Sequence, residues 1–297
     1  MQYIVLHYTS TDLARSLELL SESEVSSHYL IGDAPATIYR LVDEDRRAWH
    51  AGVSQWQGRT WLNGTTIGIE LVNQGLYQGP NGRYWQPYAP AQIEALIPLL
   101  QDIVQRHQLP LGSIIGHSDI APQRKVDPGP LFPWKRLADE GLGVWPNAQA
   151  VARFQVQYAA ELPSITWFQE ALAHLGYQTP QTGELDVATR HVLAAFQMHF
   201  RPALFDGTPT TADLDRLAWG PPGQRRLFEY WAHEASLLPL DLHPRRRVRH
   251  HRRGAHVRGV GIPVEADGVP HEAAGLAALV FAEANRNIGA WVNRQLL

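Results

Sequence analysis

The chain has 297 residues, enough for two domains and additional material, and a hydrophobic fraction of 44% with ten tryptophans allows a substantial core. A formal net charge of −3 supplies no global field that would favour nucleic acid. There is no cysteine, so disulfides are excluded and any metal must be held by His, Asp or Glu.

In chain order, residues 3–6 form an apolar strand, with His7-Tyr8-Thr9-Ser10 at its end, where a side chain can face a site. Ser10-Thr11-Asp12 can cap a helix whose apolar stripe is Leu13, Leu17 and Leu20. Further strands are expected at 26–31 and 37–42, the second followed by a charged turn at 43–47. Residues 66–72 read as a strand with apolar residues on both faces, and so buried on both. Glu70 interrupts that strand, where an unpaired charge is costly. Residues 90–107 form an amphipathic helix with Ile93, Leu96, Ile97, Leu100, Ile103 and Val104 inward. His107, at its end, is expected on the surface beside the terminal carbonyls. Ile114-Ile115 then ends a buried strand. Strands separated by helices indicate an α/β domain, a mixed β-sheet flanked by helices, over residues 1–145.

Residues 116–130, GHSDIAPQRKVDPGP, concentrate the chemistry. Lys125 and Asp127 are two apart, so an extended segment points both to one side. His117 lies ten residues before Asp127, enough chain for the two to face each other. One nitrogen and one oxygen ligand suit zinc, which needs a third protein ligand and, for catalysis, an open position. A structural histidine beside a surface Asp–Lys pair in a Pro-rich loop is the plainer alternative. Lysine occurs only at 125 and 135 in an arginine-rich chain, which singles out Lys125.

This stretch resembles the signature of the zinc-dependent N-acetylmuramoyl-L-alanine amidases, the amidase-2 family related to peptidoglycan recognition proteins. The resemblance implies that His7, His117 and Asp127 hold Zn2+ and leave one position for water. It implies that Glu70, in IGIEL, is the catalytic glutamate and that Lys125 stabilises the oxyanion of the tetrahedral species. Trp49 and His50 in AWHAG, and His28 in SSHYL, belong to family patterns and are expected to line the substrate cleft, with an imidazole packed behind the site as the equal alternative for His50. Some relatives carry a catalytic tyrosine just before the last of these; Ser27 stands there, leaving more of the proton transfer to Glu70. The implied reaction is hydrolysis of the amide between N-acetylmuramic acid and L-alanine in peptidoglycan or muropeptides. A recognition protein with this fold and no catalysis is the alternative, and the intact ligand set argues against it.

The expected helices at 166–176, 186–199 and 211–219 follow a connector at 146–162 with helical character. Together they resemble a peptidoglycan-binding domain of the kind appended to amidases, here 146–220. From 221 to 297 an irregular tail is expected, largely poorly packed and dispensable for activity. Residues 225–236 resemble a fragment of winged-helix DNA glycosylase-like proteins, and the run PRRRVRHHRR at 244–253 could meet phosphates. Neither changes the expectation of a monomer that binds no nucleic acid. No segment is apolar enough to span a membrane. No export signal precedes the first strand, yet a wall-binding module has use only where the polymer is. A periplasmic or envelope protein whose leader is missing is therefore expected, with a cytoplasmic role as the alternative.

Overall fold

The computed structural model describes residues 1–80, 82–145, 156 and 161–217. The connector expected at 146–162 lies almost entirely outside the described residues, as does everything expected of the tail after 220.

Strand β1 (Tyr3–Tyr8) is followed by helix α1 (Leu13–Glu22), whose first turn is capped by Asp12 accepting from the Arg15 backbone N at 2.9 Å. Next come β2 (Tyr29–Ile31), β3 (Ile38–Arg40), a 3-10 turn (Leu62–Gly64) and β4 (Thr66–Leu71). Strands β5 (Leu76–Gly79) and β6 (Gly82–Trp85) form a separate hairpin. That hairpin was not among the expected elements, although the Gly-Pro-Asn-Gly run between its strands is a turn signal. Helix α2 (Pro90–His107) starts and ends where its apolar periodicity predicts. It continues through Pro98, because the buried Leu96, Ile97 and Leu100 around that point hold it to the sheet. Strand β7 (Ile114–Gly116) leads into α3 (His117–Ile120), a single turn where only a Pro-rich loop was expected, and α4 (Trp134–Asp139) follows.

The main sheet has the order β3-β2-β4-β1-β7, with β3 antiparallel to β2 and the other neighbours parallel. It is the mixed sheet expected. One face packs Ile4, Leu6, Ile67, Ile69 and Leu71 against Ile93, Leu96, Leu100 and Ile103 of α2. Both faces of β4 were expected to be apolar; the second instead carries Thr66, Gly68 and Glu70. Both faces are nonetheless covered, since Thr66 and Gly68 are buried.

His107 is not placed beside helix-end carbonyls. Its Nε2 lies 2.6 Å from Glu44 Oε2, and Arg106 grips the same carboxylate with two bonds of 2.6 and 2.8 Å. The Arg106 guanidinium is the main reason the Glu44 carboxyl sits well below its ordinary range.

Helices α5 (Ile165–Leu175), α6 (Val187–Phe200) and α7 (Thr211–Leu217) match the three expected, with Ser164 and Asp186 as N-caps and Gly176 closing α5. They do not stand apart. Phe168, Leu172, Phe196 and Leu214 belong to one apolar cluster with Tyr3, Val5, Trp56, Leu62 and Ile115. Tyr177 meets Trp56 edge-on at 4.9 Å, and the Gln57 backbone N donates to Gly176 O at 2.8 Å. The His199 ring stacks on Trp134 at 3.7 Å.

A shared core predicts shared melting. Truncating the fully buried Phe196 in Phe196→Ala should cost about 3–5 kcal/mol. Thermal denaturation followed by circular dichroism and by tryptophan fluorescence should show one common transition at lower temperature. Two separated transitions would mean that the helices melt on their own.

Candidate metal centre

The site forms where β1, β4 and β7 end together. In the parallel register His7 lies beside Glu70, and Leu6 beside Gly116, the residue before His117. Parallel partners share a face, so His7 and Glu70 project to the same side, away from α2. The turn α3 redirects the chain as it leaves β7, and a Cβ at Gly116 would come within 2.8 Å of Pro128 Cδ, so this crossing needs glycine. Asp119 Oδ2 accepts from the Gly116 backbone N at 2.7 Å and fixes the turn. The chain then returns to Asp127, whose carbonyl accepts from the Ser118 N at 2.8 Å.

Three donor atoms converge there. His7 Nδ1 is 2.9 Å from His117 Nδ1 and 3.1 Å from Asp127 Oδ2, and His117 Nδ1 is 2.9 Å from the same oxygen. All three residues are buried. Zinc bonds of about 2.0–2.2 Å at tetrahedral angles set neighbouring donors about 3.3–3.5 Å apart, so the trio is within a few tenths of an ångström of that spacing. Two imidazole nitrogens and a carboxylate oxygen are also the donor types zinc takes. The expected ligand set is therefore one cluster that can hold a metal ion.

The electrostatics favour the ligand forms. Burial, then the neighbouring His117, pushes His7 down from 6.5 to about 4, so its imidazole is neutral at pH 7. Burial alone would raise Asp127, but the His117 and His7 rings hold it well below the ordinary carboxylate range. Glu70 goes the other way. Burial, then the Asp127 charge, raises it to about 8, while Lys125 opposes the rise. Its Oε2 is buried with no hydrogen-bond partner, as befits a group awaiting something in the cleft. Lys125 is partly buried, and its charge is felt at both His7 and Glu70.

The other expected cleft residues divide. Trp49 is exposed, with the Arg47 guanidinium 4.5 Å from its ring centre, and remains available to a ligand. His28 and His50 do not line a cleft. His28 is wholly buried, with Nδ1 accepting from Gly68 N at 3.0 Å and Nε2 3.1 Å from the Arg46 carbonyl. His50 is buried behind His7, with its Nδ1 3.0 Å from His7 Nε2. Their ring nitrogens are partnered within the protein, which for His50 is the packed alternative.

Residues that support this centre were missed at the sequence level. Asn63 Oδ1 accepts from the backbone N of His50 and of Ala51 at 3.0 and 2.7 Å, pinning AWHAG to the 3-10 turn. Arg124 reaches the Val53 carbonyl at 2.9 Å and the Ala51 carbonyl at 2.5 Å. Tyr88 Oη donates to the Pro128 carbonyl at 2.8 Å. Arg124 lies within the quoted motif and could have been marked; Asn63 and Tyr88 carry no local signal.

With this geometry in hand, two sequence-family comparisons bear on identity. The family described as "N-acetylmuramoyl-L-alanine amidase" matches residues 1–130, and that described as "Putative peptidoglycan binding domain" matches residues 161–217. The chain is 45% identical over 219 residues to N-acetylmuramoyl-L-alanine amidase AmiD of Escherichia coli K12, spanning 70% of this chain and 77% of the relative. The chain belongs to the N-acetylmuramoyl-L-alanine amidase family. The solved complex of E. coli AmiD with anhydro-N-acetylmuramic acid-L-Ala-D-gamma-Glu-L-Lys superposes on this amidase with a TM-score of 0.68 at 42% identity, covering 73% of this chain and 87% of the other. AmpDh3 of Pseudomonas aeruginosa, in complex with anhydromuramic pentapeptide, gives a TM-score of 0.69 at 38% identity, covering 73% and 90%. Among the described residues no helix is long and apolar enough to cross a membrane.

The Glu70 shift makes a stability prediction for the metal-free amidase. A carboxyl whose folded value is about 8, above its ordinary 4.5, keeps a proton that the unfolded chain has lost. Its contribution is fully present below the unfolded value and is lost as pH rises through the folded one. Chelator-treated wild type should therefore lose more stability between pH 4.5 and 8 than Glu70→Gln does. Equal losses in urea titrations across that window would show that Glu70 is not held protonated.

Proposed function

We propose that this amidase uses zinc held by His7, His117 and Asp127 to hydrolyse the amide between the N-acetylmuramic acid lactyl group and L-alanine. The observation that carries the reading is the convergence of the three donor atoms within 2.9–3.1 Å beside an unpartnered buried carboxyl. Zinc, when bound, supplies a Lewis acid that acidifies water and polarises the amide carbonyl. The remaining chemistry belongs to the chain. Glu70 takes the proton of the attacking water as the C–O bond forms, and returns it to the alanine nitrogen as the C–N bond breaks. Glu70 at about 8 holds its proton at pH 7 in the metal-free protein; the positive charge of a bound ion would lower it and give the carboxylate that the first half of the exchange needs. Lys125 offers an ammonium to the oxyanion that develops on the carbonyl oxygen. Ser27 offers no phenol, and its Oγ is buried with no partner, so the shuttle falls to Glu70.

The substrate class is a muramyl peptide, in peptidoglycan or released from it. Both compared complexes hold an anhydromuramyl peptide. The match of α5–α7 to a peptidoglycan-binding family supports work at the cell envelope. The boundary between a catalytic part ending near 145 and a helical part from 146 is likewise proposed, as a division of sequence rather than of cores.

Mass analysis of a soluble muramyl peptide after incubation should show the free stem peptide, with L-alanine at its amino end, and the muramic acid carboxylate. Cleavage at any other bond would remove the reading. Glu70→Ala should lower kcat by about 10²–10⁴-fold with the metal retained. Lys125→Ala should lower it by about 10²–10³-fold with little change in KM. Near-normal turnover in either variant would strike that residue from the mechanism.

A further inference from the structure

The second ring nitrogen of His7 faces another histidine, and that histidine faces a threonine. His7 Nε2 lies 3.0 Å from His50 Nδ1, and His50 Nε2 lies 3.2 Å from Thr66 Oγ1. The Thr66 hydroxyl donates to the Leu62 carbonyl at 2.7 Å. All four residues are buried. We propose that Thr66 and His50 are positioning residues that favour the Nε2–H tautomer of His7, the form whose Nδ1 lone pair a metal ion would take.

The argument is a proton count along the chain of bonds. A hydroxyl has one proton to donate, and a carbonyl can only accept. The Leu62 carbonyl is the nearer of the two acceptors open to Thr66, so it takes that proton. Thr66 Oγ1 is then an acceptor towards His50, and His50 Nε2 must carry hydrogen. A neutral imidazole has one N–H and one bare nitrogen. His50 Nδ1 is therefore bare and accepts from His7 Nε2–H. The relay thus favours a bare His7 Nδ1, the atom 2.9 Å from His117 Nδ1 and 3.1 Å from Asp127 Oδ2; that carboxylate oxygen accepts, and pulls towards an N–H there when no cation lies between. If Thr66 turned its proton to His50 instead, every assignment would reverse and His7 would aim an N–H at the metal position.

Packing holds the relay in place. A Cβ at Gly68 would come within 2.5 Å of the His50 ring, so the ring lies directly on the β4 backbone. The His50 backbone is fixed by Asn63. Thr66 and Gly68 occupy the two site-facing positions before Glu70 on the same strand, so one face of β4 sets the ligand tautomer and supplies the proton shuttle.

The inference rests on the zinc reading of the trio, and its test separates the two. Thr66→Val keeps the shape and the main-chain acceptor of residue 66 but removes the hydroxyl acceptor; Thr66→Ser keeps both. Zinc affinity, measured on the full chain by competition with a chromophoric chelator, should fall about 10–100-fold in Thr66→Val and stay near wild type in Thr66→Ser. In zinc-free protein the share of His7 in the Nε2–H form, read from imidazole nitrogen chemical shifts, should be larger in wild type than in Thr66→Val. Equal zinc affinity in wild type and Thr66→Val, or equal shares of the His7 Nε2–H form in the two zinc-free proteins, would overturn the relay. Absence of zinc binding by wild type would overturn the metal reading, while the nitrogen shifts would still decide the relay by themselves.

Discussion

β1 runs between β4 and β7 with all three strands parallel, and every part of the site depends on that arrangement. Parallel strands end at the same edge of a sheet, so residues remote in sequence arrive together without any loop having to find them. His7 stands at the middle of that edge, with Glu70 on one side and the turn carrying His117 on the other. The cost of burying Thr66, Gly68 and Glu70 rather than apolar residues on the site face is met on the opposite face, where Ile67, Ile69 and Leu71 pack on α2.

Burial also sets the charge states. Away from water a charged imidazole is disfavoured, so His7 is neutral and able to act as a ligand. The same environment makes Glu70 hold its proton against Asp127, with Lys125 restraining the shift. His7, Glu70 and Lys125 thus tune one another, and none can be assigned its state alone.

The helical part is tied to the loop that bears two of the three ligands. Tyr177 Oη donates to Asp119 Oδ1 at 2.6 Å, and His199 Nδ1 lies 2.9 Å from Asp119 Oδ2, the oxygen that also receives the Gly116 N–H. Gln123 donates to the Ala188 carbonyl at 3.0 Å. The turn that aims His117 is therefore braced from α6 and from the residue after Gly176, and a sequence reading that set these helices aside as a wall anchor missed their structural share in the centre.

Local chemistry was legible without coordinates wherever it was written in consecutive residues. The GHSDIAPQRKVDPGP stretch, the lone Glu70 in an apolar strand and the 90–107 periodicity named the family resemblance, the candidate ligands and the longest helix. The hairpin at 76–85 was also local, and its turn signal went unused. What only the tertiary structure decided is where the histidines stand. His7 and His117 meet Asp127, while His50 packs behind His7 and His28 against the β4 backbone. Thr66, an unremarked residue at the start of β4, acquires its place through a carbonyl four residues back and a ring sixteen residues back. Hydrogen bonds act over about 3 Å in space whatever the separation in sequence, so such roles become visible only when the fold brings the partners together.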